Sequence, residues 1–209
     1  MGWVSMLFVL LSSVTGLKKF NLYEGIEPIL KIFQTAALLE ILHVALGLVK
    51  SNLTMTTFQV FSRIFVVWGI MHNIPEIHNH VSVMMFLFAW FVTESIRYTY
   101  YFFMLIGFIP YYLIWARYSL FIGLYPLGVV GELLCMYKSL HYVEERGILN
   151  LTLPNRLNAS FNFYYFLIAV MLSYIPIFPQ LFSHMLTHRE KALRLMAKKS
   201  AEITKKKQN

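Results

Sequence analysis

The stretch Leu124–Tyr137, LYPLGVVGELLCMY, sets a carboxyl, Glu132, and a phenol, Tyr125, inside a long apolar run. One proline and two glycines lie between them. At about 100° per residue, helix positions seven apart nearly superpose. Phe121, Tyr125, Gly128 and Glu132 therefore form one stripe of a helix. Gly128 removes a side chain at its height, which predicts a notch with the phenol above and the carboxyl below. On an ideal helix the Cα atoms of Tyr125 and Glu132 are roughly 10 Å apart. Pro126 deletes a backbone hydrogen bond and is expected to bend the helix. In lipid the carbonyl so freed needs another partner. Packing alone accounts for the proline and the glycines, because helix contacts use small residues. It does not account for an acid in hydrocarbon.

Outward from this stretch, composition sets the solvent. The chain has 209 residues, of which 58% are hydrophobic and 13% charged, and a mean hydropathy of +0.59. A soluble domain carries about 25% charged residues. So apolar a chain is expected to use lipid as its solvent, in an all-α bundle of six membrane spans at about 2–17, 29–49, 57–74, 81–105, 111–137 and 161–186. The first is short and ends at Lys18-Lys19; it lacks the basic start and cleavage pattern of a signal peptide. The linkers KSNLTMT, NIPEIHNH and GFIPYY are short, and a longer polar one is expected over 138–160.

The formal charge of +8 is concentrated at one end: His184–Asn209 holds eight Lys or Arg against two Glu. We read residues 1–186 as the membrane domain and 187–209 as a basic cytosolic tail. Its final KKKQN places Lys206 and Lys207 fourth and third from the end. That is the spacing of the dilysine retrieval signal of endoplasmic-reticulum membrane proteins, and a basic tail fits the cytosolic side. Six spans then put both termini in the cytosol. The 138–160 loop, with sequons at Asn150 and Asn158, becomes lumenal, and the sequon at Asn52 cytosolic. Lys18, Lys19 and Lys31 oppose this orientation. No basic face with interleaved aromatics suggests a nucleic-acid partner.

Charged groups at membrane depth call for a partner or a task. Those in the spans are Glu40, His43, Arg63, Glu94, Arg97, Arg117 and Glu132. Glu40 and His43 share a helix face, as do Glu94 and Arg97, which suit a neutralising pair. Arg63 and Arg117 have no acid at helical spacing. Arg63 must find a carboxylate on another helix, a lipid phosphate or an anionic ligand. Arg117 suits either an interface anchor or a polar head-group contact.

The motifs WARYSLFIGLYPLGVVGELL, KIFQTAALLEILH and SYIPIFPQLF together resemble the very-long-chain 3-hydroxyacyl-CoA dehydratases, also called protein tyrosine phosphatase-like proteins, from about Trp3 to His188. The family core YP-x-G-x-x-G-E is intact. The resemblance implies a six-span endoplasmic-reticulum enzyme with cytosolic termini that carries out the third step of fatty-acid elongation. It implies Tyr125 and Glu132 as the catalytic pair. Partners implied are a very-long-chain 3-hydroxyacyl-CoA, the bilayer, and the elongase, 3-ketoacyl-CoA reductase and enoyl-CoA reductase of the same cycle. Family members carry more residues before Gly2-Trp3, so the front of this chain reads as shortened.

Dehydration needs a base at Cα, acidified by the thioester, and an acid at the Cβ hydroxyl. A phenol and a carboxyl on one stripe suit it, in either assignment, with no metal or redox cofactor. Arg63, Glu94, Arg97, Arg117, Phe121 and Gly128 are candidates for binding substrate or supporting the site.

Other functions fit poorly. A cysteine phosphatase needs an arginine six residues after its nucleophile, where Cys135 is followed by His141. A di-iron lipid oxidase needs several histidine boxes, and the chain's seven histidines give only one spaced pair, His184 and His188. No inverted repeat supports a transporter. The remaining alternative is a catalytically silent membrane scaffold that retains the dehydratase fold.

Overall fold

The computed structural model describes residues 2–14, 23–48, 52–151 and 160–208, with side chains described as far as Arg194. Lys18, Lys19 and Asn158 lie outside the described residues. Apart from one antiparallel bridge, Leu151 to Phe161, the regular structure is helical. The helices are α1 (Gly2–Val14), α2 (Glu27–Ala36), α3 (Leu38–Ala45), α4 (Leu53–Ile64), α5 (Val81–Ile106), α6 (Tyr111–Ser119), α7 (Phe121–Arg146) and α8 (Phe163–Gln208). A π-helical turn, Phe65–Met71, continues α4, and a short 3₁₀ turn, Pro75–Ile77, precedes α5.

Among the described residues, five stretches are long and apolar enough to cross a membrane: Glu27–Ala45, Leu53–Met71, Val81–Ile106, Tyr111–Arg146 and Phe163–Arg194. The first expected span, 2–17, is a shorter apolar helix at Gly2–Ser12. The outer faces suit lipid as the solvent: Ile32 is 67% exposed, Leu42 50% and Ile175 70%, which water would penalise along a whole bundle.

Several boundaries differ from the sequence-based expectation. The third span starts at Leu53 because Asn52 is its N-cap, accepting a hydrogen bond from the Met55 N–H at 3.3 Å. The fifth expected span, 111–137, divides at Leu120 into α6 and α7, and Pro126 lies inside a continuous α7. A helix tolerates one missing N–H when its neighbours hold it in place, and α5 and α8 flank α7 there. The polar loop is shorter than expected, because α7 runs on to Arg146 before Gly147 ends it with φ +60°. Arg146 also binds Glu76 at 2.6 Å, which ties this overhang to the turn before α5. Asn150 accepts a hydrogen bond from the Phe163 N–H at 2.7 Å, satisfying the start of α8. At the other end, α8 passes residue 186 without a break.

The core lies along α5 and α7. Phe86, Leu87 and Phe91 of α5 and Cys135 and Met136 of α7 are fully buried. Met6 and Leu10 of α1, Val66 and Ile70 of the π turn and Leu167 of α8 close around them. Two lipid-facing helices have no hydrophobic reason to associate, so close van der Waals contact must hold them. Gly131 provides it. A Cβ there would lie 2.8 Å from the Phe86 backbone nitrogen and 3.0 Å from the Ser82 carbonyl oxygen. At Gly128 a Cβ would meet the Ala89 methyl at 3.4 Å. The glycine notch expected on α7 is therefore filled by α5.

Gly131→Ala should destabilise the protein by about 1–3 kcal/mol through this overpacking. Gly123→Ala, where nothing lies within 4 Å, should leave stability unchanged or raise it by up to about 1 kcal/mol. Thermal unfolding of the two variants in detergent measures the contrast.

Candidate active site

Helices α7 and α8 run antiparallel, and their contacts form a ladder. Phe121 meets Phe182 edge-on with ring centres 6.0 Å apart. Tyr125 stacks on Phe178 at 5.2 Å and is parallel to Phe182 at 6.2 Å. Glu132 accepts a hydrogen bond from the Tyr174 hydroxyl at 2.6 Å. The four-residue steps Tyr174, Phe178 and Phe182 on one helix thus match Glu132, Tyr125 and Phe121 on the other. Three residues of the expected stripe, Phe121, Tyr125 and Glu132, meet an aromatic face of α8, whereas Gly128 meets Ala89 of α5.

Glu132 is 5% exposed. Its second carboxyl oxygen accepts the indole N–H of Trp90, on α5, at 3.0 Å. Donors from two different helices therefore hold the two oxygens, as a buried acid requires. Tyr125 is half-buried. Its hydroxyl has no hydrogen-bond partner among the described residues. The arrangement pairs a fixed carboxyl with an uncommitted phenol.

Beside it lies a four-charge chain that joins three spans. Arg63 of α4 pairs with Glu94 of α5 through a short contact. Glu94 also accepts from Arg97, its neighbour one turn on, at 2.6–2.8 Å. Arg97 then grips both oxygens of Glu40, on α3, at 2.6 and 2.9 Å. The predicted Glu94–Arg97 pair exists, and its carboxylate is also the partner that Arg63 required. Glu40 turns to Arg97 of α5. Two cations and two anions leave this four-residue chain with no net charge, and the planar guanidinium forks suit the geometry. The chain touches the Glu132 site through Arg63, whose guanidinium lies 5.6 Å from the centre of the Trp90 ring.

Arg117 sits apart from this cluster. Its guanidinium lies among Tyr100, Tyr101 and Tyr118, at 4.3, 4.9 and 5.7 Å from their ring centres. Its Nη2 is 3.5 Å from the Tyr101 hydroxyl, and its buried Nη1 has no partner among the described residues. Of the sequence candidates, Phe121, Tyr125 and Glu132 share the α7–α8 face. Arg63, Glu94 and Arg97 form the adjoining ion chain. Gly128 is a helix contact and Arg117 occupies a separate aromatic site.

Trp90 and Tyr174 were not among the sequence candidates. Polar tips of buried aromatics need partners, yet the chain has four tryptophans and thirteen tyrosines. Residue type alone could not single these two out.

Residues 34–195 match the family described as protein tyrosine phosphatase-like protein, PTPLA. The chain is similar to very-long-chain (3R)-3-hydroxyacyl-CoA dehydratase 2 of Homo sapiens, with 52% identity over 173 residues, 83% of this chain and 68% of the relative. It is also similar to very-long-chain (3R)-3-hydroxyacyl-CoA dehydratase hpo-8 of Caenorhabditis elegans, 46% identical over 92% of this chain and 89% of that protein. For the dehydratase PASTICCINO 2 of Arabidopsis thaliana the identity is 38%, over 92% and 87%. No solved structure matches.

Removing Glu94 strands Arg63 in the bundle, whereas Arg97 keeps Glu40. Glu94→Ala should therefore cost about 3–5 kcal/mol of stability. Glu40→Ala should cost clearly less, since Glu40 is 31% exposed and Arg97 keeps Glu94. Denaturation of both variants under one detergent condition checks the order.

Proposed function

The chain belongs to the protein tyrosine phosphatase-like (PTPLA) family, and from that premise we propose that it dehydrates very-long-chain (3R)-3-hydroxyacyl-CoA to the trans-2-enoyl-CoA. One observation carries this reading: a doubly hydrogen-bonded, buried Glu132 stands on the same helix face as Tyr125, whose hydroxyl has no partner among the described residues. Elimination of water asks for such a pair, one group at Cα and one at Cβ.

The reaction is balanced without a cofactor. Glu132 takes a proton from Cα, and the released electron pair forms the Cα–Cβ double bond. The Cβ–oxygen bond breaks as Tyr125 passes its proton to the departing hydroxyl, which leaves as water. The phenolate is then reprotonated as Glu132 gives up its proton, so both groups return to their starting states. Positioned acid and base groups typically contribute 10²–10⁴-fold each.

The substrate explains the setting. A very long acyl chain is soluble in the bilayer and can lie along the aromatic face of α7 and α8, beside Phe121, Phe178 and Phe182. The CoA phosphates must stay in water. Arg117, in the last turn of α6 and with an N–H that has no partner among the described residues, suits a head-group contact. An endoplasmic-reticulum membrane with the basic segment His184–Asn209 on the cytosolic side suits such an enzyme. In that setting the enzyme would serve the third step of fatty-acid elongation, after a ketoacyl reductase and before an enoyl reductase.

Tyr125→Phe and Glu132→Gln should each lower dehydration by about 10²–10⁴-fold while the protein stays folded. Enoyl-CoA formation by purified variants in detergent measures this. Near-normal turnover in either variant contradicts the assignment, and an inactive unsubstituted protein contradicts the dehydratase reading in favour of a scaffold.

A further inference from the structure

We propose, resting on the dehydratase reading above, that Tyr174 and Trp90 are positioning residues that commit Glu132 to the base role at Cα and so leave Tyr125 as the acid at Cβ. Sequence alone leaves the two assignments open. The hydrogen bonds to Glu132 separate them.

An indole N–H can only donate. The Glu132 oxygen 3.0 Å from Trp90 is therefore an acceptor. The other oxygen lies 2.6 Å from the Tyr174 hydroxyl, a separation typical of an O–H donating to a carboxylate. Each oxygen keeps a further lone pair, so the group can still receive a proton from substrate. To act as the acid instead, Glu132 would have to aim a proton at the leaving hydroxyl while Tyr174 stood at hydrogen-bond distance and competed for it. Tyr125 has no such competitor among the described residues.

Both donors are themselves fixed. Trp90 is 3% exposed, packs against Phe86 with ring centres 4.7 Å apart and lies under the Arg63 guanidinium. Tyr174 precedes Phe178 by one turn of α8, and Phe178 stacks on Tyr125. A displacement of α8 would therefore move the carboxyl and the phenol together. The two donors reach Glu132 from α5 and α8, so they restrain it along two directions. Neither touches the reacting atoms in this account; both act through Glu132.

The test uses full-length protein in detergent, with 3-hydroxyacyl-CoA carrying either hydrogen or deuterium at Cα. Tyr174→Phe and Trp90→Phe keep the rings and remove one donor each. Loss of a hydrogen bond to a charged group should lower kcat about 10- to 100-fold in each variant, with KM changed by no more than about twofold. Proton removal should become the slow step, so both variants should show a primary isotope effect on kcat. The isotope effect is a ratio, so it does not depend on how much of a variant folds, and either variant alone suffices. An unchanged kcat, a loss carried by KM, or a variant without an isotope effect overturns the proposal while leaving the dehydratase reading intact. Absence of enoyl-CoA formation by the unsubstituted protein overturns both.

Discussion

A carboxyl in hydrocarbon is costly unless donors surround it, and Glu132 imposes that constraint on three helices at once. Its donors come from α5 and α8 while it stands on α7. The helices must therefore hold a fixed distance and register. Gly131 allows α5 and α7 to approach within backbone contact. The aromatic ladder from Phe121 to Phe182 fixes α8 against α7. Once these are set, Tyr125 has one place to be.

The ion chain from Arg63 to Glu40 does for the neighbouring helices what the Glu132 cluster does for the centre. It joins α3, α4 and α5 with balanced charge. Buried ion pairs are weak evidence for stability in themselves, since desolvation offsets much of their attraction. Their value here is geometric. Arg63 touches the face of Trp90, and Trp90 holds Glu132. The chain is thus one contact removed from the carboxyl that the proposed reaction uses.

How much of this was legible follows from the range of each interaction. Hydropathy runs mark the spans because burial in lipid is a local property of about 20 residues. The stripe of Tyr125 and Glu132 was legible for the same reason, since helical spacing fixes it. Boundaries were less so. Asn52 began α4 earlier than apolarity suggests, and the carry-through of α7 to Arg146 depends on a polar overhang that hydropathy reads as loop. Pro126 lies within one continuous α7, and the break at Leu120, between α6 and α7, has no proline or glycine to announce it. The pairings of Arg63 with Glu94, Trp90 with Glu132 and Tyr174 with Glu132 cross between helices. Spacing along one chain does not encode them, so the two donors on Glu132 emerged only from the fold.

The central claim is that Tyr125 and Glu132 act on one substrate from one helix face. The most direct measurement is a structure of the protein bound to an unreactive 3-hydroxyacyl thioether analogue. The account predicts the Glu132 carboxyl at the analogue's Cα and the Tyr125 hydroxyl within hydrogen-bond distance of its Cβ hydroxyl, with the acyl chain running between helices. An analogue seated where only one of the two groups reaches it, or the two groups facing separate spaces, would contradict it.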